Sequence, residues 1–181
     1  AEGLHLVPSF HKDLVLGVAT YAYEFLTKVQ ALTKIYVPIG LGSGICGVLF
    51  AKAALGHSVH VIGAVADAFQ TYPRSLDAGE PILTEPADSI ADGLAIRLAN
   101  PQALAMIKKG VSRIMAVDET AILGAIRALA KYTDNEVEGA GAASLAAAFL
   151  ERDAHVEDDQ IGIVASGGNL EVKVLARALA L

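Results

Sequence analysis

The stretch Val37–Gly47, VPIGLGSGICG, decides how the rest of the chain is read. An apolar run, Ile35–Ile39, feeds glycines at positions 40, 42 and 44. A helix-forming segment, Ile45–Leu55, follows and is closed by Gly56 as its C′ residue. Glycine admits positive φ and carries no Cβ, so successive backbone N–H groups of such a loop can converge on one anion. The positive end of the following helix adds to that cradle. No Gly-Lys-Ser/Thr follows, which excludes a Walker loop. Three uses stay open. Gly42-Ser-Gly44-Ile-Cys-Gly47 satisfies GxGxxG, and Asp67 lies about the right distance onward to hold a ribose, so a nucleotide-binding, Rossmann-like oxidoreductase is one reading. A single phosphate held by the whole GLGSG loop, with Gly40 also required, is the second. The third is a glycine turn that only lets a helix pack close to a strand.

Outward from the loop, short apolar runs alternate with helical periodicity. Strands are expected at His5–Val7, stopped by Pro8, and at Val59–Val65, Arg113–Val117 and Ile161–Ala165. Leu14, Val15, Val18, Tyr21, Ala22, Phe25 and Leu26 mark one face of a helix from Asp13 to about Val29. Pro101 opens a helix that runs to Lys109, and Asp118 caps another at Glu119–Tyr132. Gly139–Arg152 and Glu171–Leu179 complete the helices, while Glu80–Gly93 reads as loop. Apolar strands alternating with helices mean an α/β domain, a parallel sheet flanked by helices on both faces. No linker or repeat divides residues 1–181, so the chain is read as a single α/β domain.

Composition narrows the function. The 181 residues are 54% hydrophobic and 19% charged, with mean hydropathy +0.48, which excludes a disordered chain. The charge-free stretch between Lys34 and Lys52 contains Pro38 and the glycines, so it reads as strand and loop and no membrane span is expected. A net charge of −6 and the absence of a Lys/Arg cluster argue against nucleic acid. With one cysteine there is no internal disulfide and no thiolate zinc cage. The opening AEGLHLVPSF lacks the basic and apolar regions of a signal peptide, so a cytoplasmic setting is expected. The apolar excess predicts a large interface.

A second glycine turn, Ala165-Ser166-Gly167-Gly168-Asn169, follows the last strand, at the edge where α/β proteins bind ligands. The order GLGSGICG, then ADG at Ala91–Gly93, VEGAGAASLAA at Val137–Ala147, and SGGN resembles the latter half of the pyridoxal-phosphate-dependent threonine/serine dehydratases. These enzymes have the tryptophan synthase β-like fold. The opening LHLVPSFHKDLVLGVATYAYE is similar to the same family, so the resemblance covers almost the whole chain. It implies pyridoxal 5′-phosphate as cofactor, held at its phosphate by the backbone amides of Gly40, Leu41, Gly42, Ser43 and Gly44. Leu41 and Ser43 interrupt the family's glycine run, which backbone donors tolerate where φ stays negative. Ser166 would face the pyridine nitrogen, and Gly93 and Glu138 match positions near the cofactor ring. The reaction implied is conversion of L-threonine or L-serine to a 2-oxo acid and ammonia.

The same resemblance marks what is lacking. The family's Schiff-base lysine lies in a Ser-x-Lys-x-Arg-Gly-Ala type segment that does not occur here, so no catalytic residue is expected in this chain. Lys12, Lys28, Lys34, Lys52, Lys108, Lys109, Lys131 and Lys173 read as solvated lysines on helical faces or at element ends. A complementary N-terminal chain, or a homo-oligomer such as a dimer, would cover the apolar surface; a non-catalytic partner subunit is the other possibility. Some family members hold a divalent cation through a glutamate after the strand matching Val59–Val65. Gly63-Ala64-Val65-Ala66-Asp67 has none at that place, so no metal is expected. His57 and His60 are read as separate and not as a ligand pair, and Cys46 as a small buried residue. No regulatory module is expected after Leu181.

Overall fold

Ile35, Tyr36 and Val37 are all fully buried, as an apolar run between two helical layers must be. They form the centre of β1 (Lys34–Pro38) in the computed structural model, which describes residues 3, 4 and 6–181. With β2 (His60–Ala66), β3 (Arg113–Val117) and β4 (Ile161–Ile163) it builds a wholly parallel sheet in the order β3-β2-β1-β4.

Alternation along the strands divides the interior into two cores. Ile35 and Val37 point to the layer of α1 (Lys12–Lys28), α2 (Ser43–Leu55) and α4 (Pro101–Gly110). Tyr36 and Ile62 point to the layer of α5 (Glu119–Thr133), α6 (Gly139–Leu150) and α7 (Val172–Leu179). A short α3 (Thr71–Ala78) follows β2. Helix ends carry the caps that their sequences announce. Asn100 Oδ1 accepts the N–H groups of Gln102 and Ala103 at 2.9 and 3.2 Å, Asp118 Oδ1 accepts that of Ala121 at 2.7 Å, and Gly56 closes α2 at φ +62°.

The α/β expectation therefore holds, with four differences. His5 lies outside the described residues, and Leu6 and Val7 are exposed and join no ladder. β4 stops at Ile163; the Val164 N–H still donates to Tyr36 O, but its carbonyl accepts Ser144 Oγ of α6 at 2.8 Å. Helix α6 ends at Leu150, where Glu151 swings back to accept Tyr36 Oη at 2.6 Å and Arg113 Nε at 2.9 Å. Finally, α3 lies in a stretch assigned no element from the sequence; Pro73 there occupies a first turn, where a missing N–H costs nothing.

β4 is short, and side chains at its entry hold it against β1. Asp159 accepts from Lys34 Nζ, from Thr33 Oγ1 at 3.0 Å and from the Val156 N–H at 3.0 Å. The Lys34 hydrogen bond, with that of Val156, pulls the Asp159 carboxyl down to about 2. A depressed carboxyl pKa gives stability that is present above the unfolded value of about 3.9 and lost as pH falls toward 2. The midpoint of urea unfolding should therefore drop between pH 4 and pH 2, and Asp159→Asn should flatten that part of the profile.

Candidate functional site

At the end of β1 the chain keeps to the sheet for one more residue, Ile39, whose N–H donates to Ala64 O at 2.8 Å. It then turns through residues 40–42 into α2. Gly42 is the N-cap, at φ +105°, and offers no side chain to the first turn. Among the described residues, none of the backbone N–H groups from Gly40 through Ile45 has an acceptor. A row of unsatisfied donors at a helix start matches an anion in both charge and geometry. Asp134 is the one non-glycine residue at positive φ among those described, so Leu41 and Ser43 sit in backbone regions open to any side chain. The interruptions of the glycine run therefore impose no backbone strain. A Cβ at Gly40 would stand 2.3 Å from Gly93 O, whereas one at Gly44 would meet nothing within 4 Å.

The serine turn leaves the neighbouring strand. β4 pairs with β1 in parallel, and the N–H of Val164 still donates to Tyr36 O at 2.9 Å. Parallel neighbours about 4.8 Å apart deliver their C-terminal ends to one edge, so the two turns emerge side by side. Ser166 is exposed there. Gly167, at φ +76°, leads the chain over Glu138, the N-cap of α6. Glu138 donates its own N–H to Gly167 O at 3.2 Å, and its Oε2 accepts the N–H of Asn169 at 3.1 Å. Gly93 completes the group, since a Cβ there would lie 3.5 Å from Glu138 Oε1. Residues 40–44, Gly93, Glu138 and Ser166 thus occupy one edge of the sheet. Glu138 in particular is engaged with the turn that carries Ser166.

A cavity of about 460 Å³ opens beside this edge, lined by Asp92, Glu138, Asn169, Lys173 and Arg177 among others, and it does not extend to the glycine loop. Lys173 alone of the lysines lines it, with its ammonium 2.7 Å from Glu171 Oε2. Lys34 lies at the other end of β1, paired with Asp159. Cys46 is fully buried, and burial pushes its thiol up to about 12, so it is a packing residue below the loop. Gly47, the last glycine of the GxGxxG spacing, has another use: a Cβ there would sit 3.0 Å from Ala19 N, where α2 crosses α1. Asp67 Oδ1 accepts Gln70 Nε2 at 2.7 Å within its own turn. His57 accepts the Val59 N–H, and His60 lies 3.4 Å from Ser112 Oγ.

Two residues near the edge carry no sequence signal. Tyr72, in α3, donates from Oη to Leu41 O at 2.6 Å. Ser144, in α6, donates to Val164 O at 2.8 Å and so ties that helix to the strand before the serine turn. Neither partnership follows from spacing, because each joins segments that only the fold brings together.

Residues 1–167 match the family model described as pyridoxal-phosphate dependent enzyme. A serine racemase of Oryza sativa subsp. japonica is 32% identical over 176 residues, covering 95% of this chain and 52% of the racemase. An L-threonine ammonia-lyase of Thermotoga maritima is 30% identical over 166 residues, covering 92% of this chain and 41% of the lyase. The processed form of threonine deaminase isoform 2 from Solanum lycopersicum superposes with TM-score 0.90 at 24% identity, over 98% of this chain and 50% of the deaminase, which establishes a common fold. The chain spans about half the length of these proteins.

The loop predicts its own mutational profile. Gly42→Ala forces a side chain to φ +105° and its Cβ to 2.8 Å from Tyr72 Oη and from Ala103 Cβ. It should cost roughly 3 kcal/mol in urea unfolding, the strain and overpacking combined. Gly44→Ala, which enters open space inside a helix, should be as stable as the unsubstituted chain or up to about 1 kcal/mol more so.

Proposed function

Because the chain belongs to the pyridoxal-phosphate-dependent enzymes, we propose that it is the phosphate- and ring-binding part of an ammonia-lyase that converts L-threonine or L-serine to a 2-oxo acid and ammonia. The observation that carries this reading is the row of unsatisfied N–H groups at residues 40–45 beside the Ser166 turn, on one sheet edge. When bound, pyridoxal 5′-phosphate supplies an electron sink for the bond broken at the amino acid Cα. Gly40, Leu41, Gly42, Ser43 and Gly44 hold its phosphate by main-chain donors alone. Ser166 meets the pyridine nitrogen with a hydroxyl, which fixes no positive charge there as a carboxylate would. That weakens the sink and favours early departure of a β-hydroxyl. Glu138 keeps the Ser166 turn in place through the Asn169 N–H, and Gly93 closes the edge against Gly40.

The lysine that joins the cofactor and moves the α-proton lies, in this proposal, in an N-terminal half outside residues 1–181, on this polypeptide or on a complementary one. Large apolar side chains left exposed here, among them Leu16, Tyr23, Phe50 and Phe149, are compatible with such a partner or with a second copy. A cytoplasmic setting is supported by the single cysteine, buried and unpaired. No helix among the described residues is long and apolar enough to cross a membrane.

Three measurements test the proposal. Adding pyridoxal 5′-phosphate should shift its absorbance and its 31P resonance, while NADH fluorescence should not respond; the reverse pattern would restore the nucleotide reading. Borohydride reduction followed by peptide mapping should find no lysine labelled one-to-one, and stoichiometric labelling of Lys173 would bring the nucleophile into this chain. Together with its complement, the protein should release ammonia and a 2-oxo acid from L-threonine or L-serine. Formation of D-serine without ammonia would make it a racemase instead.

A further inference from the structure

Tyr72 is the group near the cradle whose role the proposed function leaves unexplained. It is 1% exposed, it lies on α3, and its phenol donates to the Leu41 carbonyl at 2.6 Å. That carbonyl belongs to the peptide whose other end is the N–H of Gly42. The chain contains no cis peptide bond among the described residues, and in a trans peptide the C=O and N–H point in opposite directions. A hydrogen bond that draws the Leu41 carbonyl inward onto Tyr72 therefore turns the Gly42 N–H outward. The next peptide is fixed in the same way, because Gly42 O accepts the Cys46 N–H at 3.0 Å and the Ser43 N–H is directed out of the helix start. Helix formation orients the second of these donors. Among the described residues, only Tyr72 orients the first.

We propose that Tyr72 is a positioning residue for phosphate, one that acts through the Leu41–Gly42 peptide without touching the ligand. The inference rests on the assignment of residues 40–44 to the cofactor phosphate. Three further features support it. Burial raises the phenol pKa above its ordinary value, so the group remains a donor at any physiological pH. Donation to a peptide carbonyl polarises the N–H at the other end of that peptide and strengthens it toward an anion. The fit is also close: a Cβ at Gly42 would stand 2.8 Å from Tyr72 Oη, so a glycine there lets the phenol reach the carbonyl.

The test compares pyridoxal 5′-phosphate with pyridoxal, which lacks the phosphate. The unsubstituted chain should bind the phosphorylated form more tightly. Tyr72→Phe should weaken that binding about 5- to 10-fold, the share of one hydrogen bond of about 1 kcal/mol, and leave pyridoxal unchanged. An unchanged ratio between the two ligands would overturn the role of Tyr72. Equal affinity of the unsubstituted chain for both ligands would overturn the phosphate assignment itself, a separate failure. Amide NMR of the unsubstituted chain gives an answer even if the variant does not fold. On titration with inorganic phosphate the Gly42 N–H should move as far as those of Ser43 and Gly44. A stationary Gly42 beside moving neighbours would mean that nothing aims it, and the proposal fails.

Discussion

The carbonyl oxygen of Ser166 sits 1.7 Å from the point where a Cβ on Gly141 would stand, and the site depends on that space being left empty. Helix α6 begins directly beneath the serine turn because its first turn is made of glycine and alanine. The same kind of approach recurs across the edge. A Cβ on Gly139 would come within 2.4 Å of Ile90 O, and one on Gly40 within 2.3 Å of Gly93 O. Four segments distant in sequence are thus held backbone to backbone, at separations that any larger side chain would prevent. Close packing of this kind transmits displacement, because an interior at crystal-like density has little room to absorb it.

Much of this was legible from the residues, and the reason differs from element to element. Arg113–Val117 and the helix after Asp118 were readable because an apolar run and a carboxylate cap are local signals. The two glycine turns were readable because strand, glycine cluster and helix occur in direct succession. Helix α3 was not, since Pro73 within eight residues looks like a break when the first turn around it is unknown. Tyr72 and Ser144 were invisible for a related reason: their partners, Leu41 and Val164, are 31 and 20 residues away and share no periodicity with them. Glu138, expected near the cofactor ring, lies against the serine turn, and its hydrogen bond to the Asn169 N–H depends on a turn at positive φ that its own neighbours do not encode.

The electrostatics of the edge bear on the phosphate proposal. The chain carries a net charge of −6, and the loop from Gly40 to Cys46 has no charged residue. In the proposed function, attraction for a phosphate comes from oriented peptide dipoles and the start of α2, which act over a short range and only in one geometry. A cradle built in this way discriminates by shape and by donor count, where one built from lysines would respond to any anion. It is also less sensitive to ionic strength than a cluster of exposed cations, whose long-range field salt screens within about 10 Å.

β4 contributes three residues to the sheet and pairs only with β1, whose residues lie more than 120 positions earlier: Lys34 opposite Ile161, Tyr36 opposite Ile163. The first three strands and their helices can associate before residue 120, whereas this pairing must wait for residues 161–163 and closes the longest loop in the sheet. Contacts of such high sequence separation form late and slowly. Maturation therefore has an order: a growing polypeptide possesses the glycine loop well before it acquires the serine turn that stands beside it.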